Sequence, residues 1–141
     1  MNTIKVQFYD NETIDDTLLK FAVIATRYKN KWIYCKHKER NTWEIPGGHR
    51  EKGEDIFDTA KRELKEETGA EEFSIEPVAV YSVTIDNETN YGKLFYSEME
   101  KLNEKLEYEI EKIQLFDDIP KDLTYPEIQP LLQKYILTKI K

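Results

Sequence analysis

The stretch that most constrains this chain runs from Pro46 to Gly69. Pro46-Gly47-Gly48 breaks regular structure, because proline lacks an amide donor and glycine tolerates angles that other residues avoid. From about Glu54 to Thr68 the pattern becomes helical, with Ile56, Phe57, Ala60 and Leu64 on one stripe at helical spacing. Gly69 is a natural left-handed stop for that helix. The flanking segments read as strands. Thr3 to Phe8 and Phe21 to Arg27 are strand-like, and the second is continuously apolar and so expected at the sheet centre. Lys29-Asn30-Lys31 predicts a hairpin turn into Trp32-Ile33-Tyr34-Cys35. Phe73 to Ile85 and Lys93 to Glu98 read as strands joined by a loop at Asp86-Asn87-Glu88-Thr89-Asn90, and Ile110 to Phe116 as a further strand. Pro126 and Pro130 lead into a last helix whose expected buried stripe is Leu131, Leu132, Tyr135 and Ile136. Strands with one helix in the middle and one at the end predict an α/β (α+β) chain, a mixed β-sheet flanked by helices. At 141 residues, one compact domain spanning 1–141 fits better than two.

Charge and cysteine usage narrow the function. A net charge of -7 argues against a surface that binds a long nucleic-acid backbone, which needs clustered Lys and Arg. It leaves room for a small phosphorylated partner, since bound divalent metals reverse the local sign. The single cysteine, Cys35, excludes an internal disulfide framework and suits a reducing cytoplasm. The start lacks the basic-then-apolar pattern of a signal peptide, and Phe21 to Ala25 is too short to span a bilayer. The expectation is a cytoplasmic protein without a membrane partner.

The acidic run on the central helix carries the chemistry. Residues three and four apart are neighbours on a helix, so Glu63 faces Glu66 and Glu67. Like charges at that spacing cost a few tenths of a kcal/mol, roughly, per pair. Acidic residues near a helix C-terminus also oppose its dipole. A solvated charged face is one reading of such a run. A hard divalent cation is the other, since Mg²⁺ binds through a few carboxylates and bridges to phosphates.

The wider spacing decides for the second. Gly48, Glu54, Arg62, Glu63, Leu64, Glu66, Glu67 and Gly69 together resemble the Nudix box, Gly-x5-Glu-x7-Arg-Glu-U-x-Glu-Glu-x-Gly-U with U aliphatic. Every fixed position from Gly48 to Gly69 matches, and only Ala70 is smaller than the usual aliphatic. Trp43-Glu44-Ile45-Pro46-Gly47 resembles the family's lead-in, and Ile113 to Pro120 its late strand and Leu-Pro turn. The whole is most similar to the MutT-like triphosphatases, including the 8-oxo-dGTP diphosphatase type found in Bacillus. The resemblance implies a Nudix fold, a mixed sheet sandwiched between helices with the loop-helix at the catalytic site.

It also implies roles. Glu66 and Glu67 would be metal ligands, and Glu63 either a ligand or the base that deprotonates the attacking water. Glu54 would sit near the metal cluster and orient Arg62, and Arg62 would hold a glutamate in position. Gly48 and Gly47 would shape the turn and face the phosphates. MutT-like proteins often add a glutamate before the late strand; Glu109 aligns best, with Glu107 and Glu111 as competitors. The cofactor would be Mg²⁺, with Mn²⁺ able to substitute. The implied reaction is cleavage of a nucleoside diphosphate linked to X, foremost a nucleoside triphosphate to monophosphate and pyrophosphate, with 8-oxo-dGTP as one candidate. The competing substrates are ADP-ribose, a dinucleoside polyphosphate and an RNA 5′ end; the competing class is a nucleotide sensor without turnover. Where an ADP-ribose preference often shows a proline, this chain has Ile85 and Asp86, and Tyr91 lies late for a dinucleotide preference.

Other polar and aromatic residues leave two readings each. His49 either meets a phosphate or is a solvated turn residue, and His37, Lys38 and Arg40 form a basic cluster open to the same choice. Cys35 reads as a core thiol. Tyr81, Tyr91 and Phe95 either stack on a base or fill the core. Glu63, Glu66 and Glu67 should repel one another without metal, so Glu67→Gln should leave stability unchanged or slightly raised.

Overall fold

The computed structural model describes residues 3–10, 13–102 and 110–140. Its elements are β1 (Ile4–Tyr9), β2 (Leu19–Tyr28), β3 (Lys31–His37), β4 (Gly47–His49), α1 (Ile56–Thr68), β5 (Ala70–Ile85), β6 (Glu88–Leu102), β7 (Ile110–Phe116) and α2 (Gln129–Lys139). The strands form one mixed sheet in the order β1-β5-β6-β2-β3-β7, with β4 paired to β2. Among the described strands only β2 and β6 pair in parallel, from Leu19↔Tyr91 to Tyr28↔Met99. The apolar β2 is central, as its composition predicts.

Both faces of the sheet are covered, and alternation along each strand sorts the side chains. Ile24, Ile33, Val80 and Phe95 pack with Ile56, Ala60 and Leu64 of α1. Their strand neighbours Ala25, Tyr34, Tyr81 and Leu94 pack on the other face with Leu132 and Ile136 of α2. Period-two alternation between two helices is what leaves the central strands apolar throughout. No helix among the described residues is long and apolar enough to cross a membrane.

α1 forms where its caps and stripe predict. The Asp55 carboxylate accepts the Phe57 amide at 2.8 Å. Gly69 ends the helix with φ 73, and its N–H reaches the Lys65 carbonyl. Ile56, Ala60 and Leu64 are buried, and Phe57 meets the Phe95 ring edge-on at 5.7 Å. Burying Leu64 alone contributes about 1.5–3 kcal/mol.

Two expectations change. The loop expected at 86–90 is a two-residue turn: Asp86 and Asn87 both take positive φ, and Ile85↔Glu88 already closes the ladder. Asp and Asn tolerate that conformation at little cost, so the polar residues Glu88, Thr89 and Asn90 extend a strand instead. In α2, Leu131 lies outside at 44% exposure while Leu132 is 1% exposed. The helix begins at Gln129, so its inner face is Gln129, Leu132, Gln133 and Ile136, at helical spacing. The two buried glutamines tie the helix down. Gln129 accepts the Ile45 amide at 2.7 Å, and Gln133 accepts the Tyr34 hydroxyl.

One feature of the sheet places the site. β2 and β3 stay paired only at their turn, through Arg27↔Trp32 and Tyr28↔Lys31. They then splay, and residues 44–49 enter the wedge. Glu44 pairs with Cys35 of β3, the Pro46 carbonyl accepts the Ile24 amide at 2.8 Å, and Gly47–His49 pair with Val23–Phe21 of β2. The glycine turn is thereby fixed to the sheet on both sides.

Candidate active site

Gly47 is required by space, and Gly48 makes room for a carboxylate. A Cβ on Gly47 would lie 2.4 Å from the Ala22 carbonyl oxygen of the neighbouring strand. A Cβ on Gly48 would lie 1.7 Å from Oε2 of Glu63. The carboxylate of Glu63 thus rests directly on the Gly48 backbone, and a side chain at position 48 would displace it.

The helix presents Glu63, Glu66 and Glu67 to this turn, but their surroundings differ. Glu67 is 7% exposed. Its Oε1 accepts the Gly47 amide at 2.7 Å, and its Oε2 lies 3.2 Å from Nε2 of His37. Glu63 is partly buried and lacks comparable donors: its pKa is pushed up from 4.5 to about 7, first by burial and then by the charge of Glu67. Glu66 is more open and lies 3.4 Å from Nη1 of Arg62.

Arg62 ties the loop to the helix. Its Nε and Nη2 donate to the two oxygens of Glu54 at 2.8 and 3.0 Å, a bidentate pairing. Nη2 also donates to the His49 carbonyl at 3.0 Å. Glu54 further accepts the Thr59 hydroxyl and the Glu51 amide. Arg62 above all, followed by these smaller donors, holds the Glu54 carboxyl down to about 2. Glu54 and Arg62 meet as expected.

Two features of this group escaped sequence reasoning: the pairing of His37 with Glu67 and the presence of Glu44 on the same imidazole. Glu44, 9% exposed, places Oε1 3.0 Å from the same His37 Nε2. Its Oε2 pairs with Arg40 at 3.2 Å. The hydrogen bond to Glu67 raises the His37 pKa, and burial opposes the shift. The available signal was a glutamate between Trp43 and Ile45 in a strand-like run, a position where a charge needs a partner. Cys35 lies beneath the group, its thiol 3.9 Å from Glu67 Oε1, fully buried and shifted upward by that burial. The core reading of Cys35 and of Phe95 holds. Tyr91 packs against the same core cluster as Phe95, and Tyr81 is buried but borders the cleft. His49 is exposed and meets Phe21 edge-on. Glu109 and Glu107 lie outside the described residues, as does the side chain of Glu111.

These groups line a cleft of about 1100 Å³ together with the apolar and aromatic side chains of Phe21, Val83, Ile85, Tyr125 and Leu132. Among the described residues, no group of three or more His, Cys, Asp or Glu side chains is arranged to hold a metal ion by itself. Mg²⁺ needs none, since it binds through one or two carboxylates and takes water and phosphate oxygens for the rest. The donor set fits such an open site. Its donors are hard oxygens, and the raised pKa of Glu63, set first by burial and then by the charge of Glu67, is offset only in part by Arg62 at 3.6 Å.

Comparison with known proteins gives a consistent picture. The family model described as the NUDIX domain matches residues 17–134. A candidate 8-oxo-dGTP diphosphatase of Bacillus subtilis (strain 168), YtkD, is 31% identical over 124 residues, covering 87% of this chain and 77% of its own. A variant of the Bacillus subtilis pyrophosphohydrolase BsRppH superposes with a TM-score of 0.79 at 25% identity, covering 98% of this chain and 92% of its own. An Ap4A hydrolase of C. elegans gives a TM-score of 0.66 at 20% identity, covering 86% and 99%. At that identity the likeness concerns the fold alone.

Proposed function

The chain belongs to the NUDIX domain family and is a hydrolase, and on that premise we propose that it cleaves the phosphoanhydride of a nucleoside diphosphate linked to X with the help of Mg²⁺. The favoured substrate is a nucleoside triphosphate, giving a monophosphate and pyrophosphate, and 8-oxo-dGTP is one candidate. The observation that carries this reading is one cleft lined both by the carboxylates of α1 and by the apolar and aromatic side chains of Phe21, Val83, Ile85 and Tyr125. A phosphate chain suits the carboxylates once a cation is present, and a nucleoside suits the apolar lining.

Glu66 and Glu67, with Glu63, would hold the cation. When bound, the cation neutralises phosphate charge and lowers the pKa of water. The remaining tasks fall to side chains. Glu63, whose carboxylate rests on the Gly48 backbone beside Glu66 and Glu67, would also serve as the base that takes the proton of the attacking water. Arg62, through Glu54 and the His49 carbonyl, keeps the glycine turn in register with the helix. Gly47 and Gly48 offer a backbone surface to phosphate. The working partner is a small nucleotide, in keeping with a net charge of -7, and the single cysteine suits the cytoplasm.

The test is a panel of nucleoside triphosphates, oxidised dGTP, ADP-ribose, dinucleoside polyphosphates and RNA bearing a 5′-triphosphate, incubated with Mg²⁺ and resolved by chromatography. Monophosphate and pyrophosphate from a triphosphate are expected. Preference for ADP-ribose or a dinucleotide would overturn the substrate, and no turnover of any member would overturn the catalytic reading.

A further inference from the structure

His37, whose imidazole meets both Glu44 and Glu67, has no task of its own in the proposed reaction. His37 is the last residue of β3, where the ladder to β7 slips between Lys36↔Lys112 and His37↔Ile110. Such irregularities re-aim a side chain at the end of a strand. The imidazole here points across the wedge, and Nε2 reaches Glu44 Oε1 at 3.0 Å and Glu67 Oε2 at 3.2 Å. Glu44 is itself held by Arg40 at 3.2 Å through its other oxygen. The opposite oxygen of Glu67 accepts the Gly47 amide at 2.7 Å.

We propose that His37, steadied by Glu44, is a positioning residue that holds the Glu67 carboxylate in the one orientation from which it can bind a divalent cation. The inference rests on the metal-dependent reading above. Its physical basis is the count of donors. A glutamate side chain has several rotatable bonds, and ordering it for a ligand costs entropy each time the ligand binds. One amide fixes one oxygen and leaves the plane of the carboxylate free to turn about that contact. A second donor on the other oxygen removes that freedom. The outward lone pairs remain for a cation, and the ordering cost is met by folding rather than by binding. Glu66 and Glu63 lack such a two-sided arrangement in the bonds they make, so Glu67 is the carboxylate around which the others adjust. Removing an oriented partner of this kind typically lowers metal affinity roughly 10- to 100-fold. His37 does not touch phosphate in this role, which separates it from a basic residue that meets the substrate directly.

Mn²⁺ affinity, measured by calorimetry or by the electron-spin signal of the free ion, tests this on His37→Leu, His37→Gln and Glu44→Gln beside the parent protein. His37→Leu should weaken Mn²⁺ binding by about 10-fold or more. It should lower kcat at fixed metal while leaving the KM for nucleotide near the parent value, and added metal should recover part of the rate. His37→Gln keeps an N–H donor and should recover part of the affinity; Glu44→Gln should fall between the two. Parent-like Mn²⁺ binding in His37→Leu would overturn the role. So would a raised KM with unchanged metal affinity, which would make His37 a phosphate contact. Equal losses in His37→Leu and His37→Gln that merely follow a lowered melting temperature would mark a packing role and would also overturn it. Failure of the parent to bind Mn²⁺ at all would refute the metal-dependent reading itself, a result distinct from these.

Discussion

The two ends of the loop-helix unit treat their carboxylates in opposite ways. Around Arg62, Glu54 receives a bidentate guanidinium, a hydroxyl and an amide, and its pKa drops to about 2. The next residue along the helix, Glu63, lies partly buried against Gly48 beside Glu66 and Glu67, and its pKa climbs to about 7 even with Arg62 3.6 Å away. The first group is fully paired within the protein; the second is compensated only in part, by Arg62, and gains from a proton or a cation. Opposed environments for like residues are how a site assigns different tasks to the same chemistry. The Arg62 end is read as framework and the Glu63 end as working surface.

The sharpest way to break this contrast is to neutralise Glu63. If it is the base, Glu63→Gln should lower turnover by about 10²- to 10⁴-fold while Mn²⁺ affinity stays near that of the parent. If it is mainly a ligand, affinity and turnover should fall together and added metal should restore part of the rate. Full activity in this variant would remove Glu63 from the reaction. Next in size is Arg62→Ala, which leaves Glu54 without its main donor. Turnover should fall roughly 10- to 100-fold, and metal-free stability should drop by about 1.5–3 kcal/mol for the lost charged hydrogen bonds. An Arg62→Ala protein that melts like the parent would refute the framework reading.

The contrast between Glu63 and its neighbour was not legible in the sequence. Spacing put Glu63, Glu66 and Glu67 on one helical face, because neighbours on a helix are set by local geometry alone. It could not show that Glu67 would meet His37 and Glu44. That meeting depends on β2 and β3 splaying so that residues 44–49 enter between them, and a splay leaves no periodic mark. For the same reason the expectation that Glu67→Gln is harmless needs correction. Glu67 accepts the Gly47 amide and faces His37, so losing a charge there weakens two bonds of the native state. Metal-free Glu67→Gln should lose about 1–3 kcal/mol in denaturant unfolding, whereas Glu63→Gln should be neutral or slightly stabilising. Equal effects from the two would erase the distinction. The fold itself was more readable, since hydrophobic period and caps are local signals. The exceptions are also instructive. Leu131 was misplaced because two glutamines occupy the inner face of α2, and the β5–β6 turn was overestimated because exposed strand ends are as polar as loops.

The smallest expected effect is the pH dependence of metal-free stability, and it sets the two carboxylates against each other directly. An unfolded carboxyl titrates near 4.5, and folded Glu63 near about 7. Between these values the folded protein holds a proton that the unfolded chain has lost. The contribution of Glu63 is therefore complete below 4.5 and disappears as pH rises through about 7. Glu54 has the opposite sign: folded, it titrates near about 2. Its contribution is present above 4.5 and is lost as pH falls toward 2. His37, also raised, adds a slope of the same sign as Glu63 as pH rises through its titration. The informative quantity is thus the difference between the parent and Glu63→Gln. Thermal melts in chelator should show the parent losing more stability than the variant between pH 4.5 and about 7, and the two running parallel below that window. With Mn²⁺ present the parent's slope should reverse, because the cation binds ionised carboxylates and competes with protons for them. Parallel curves across the whole range would mean that Glu63 is no more strained than Glu54.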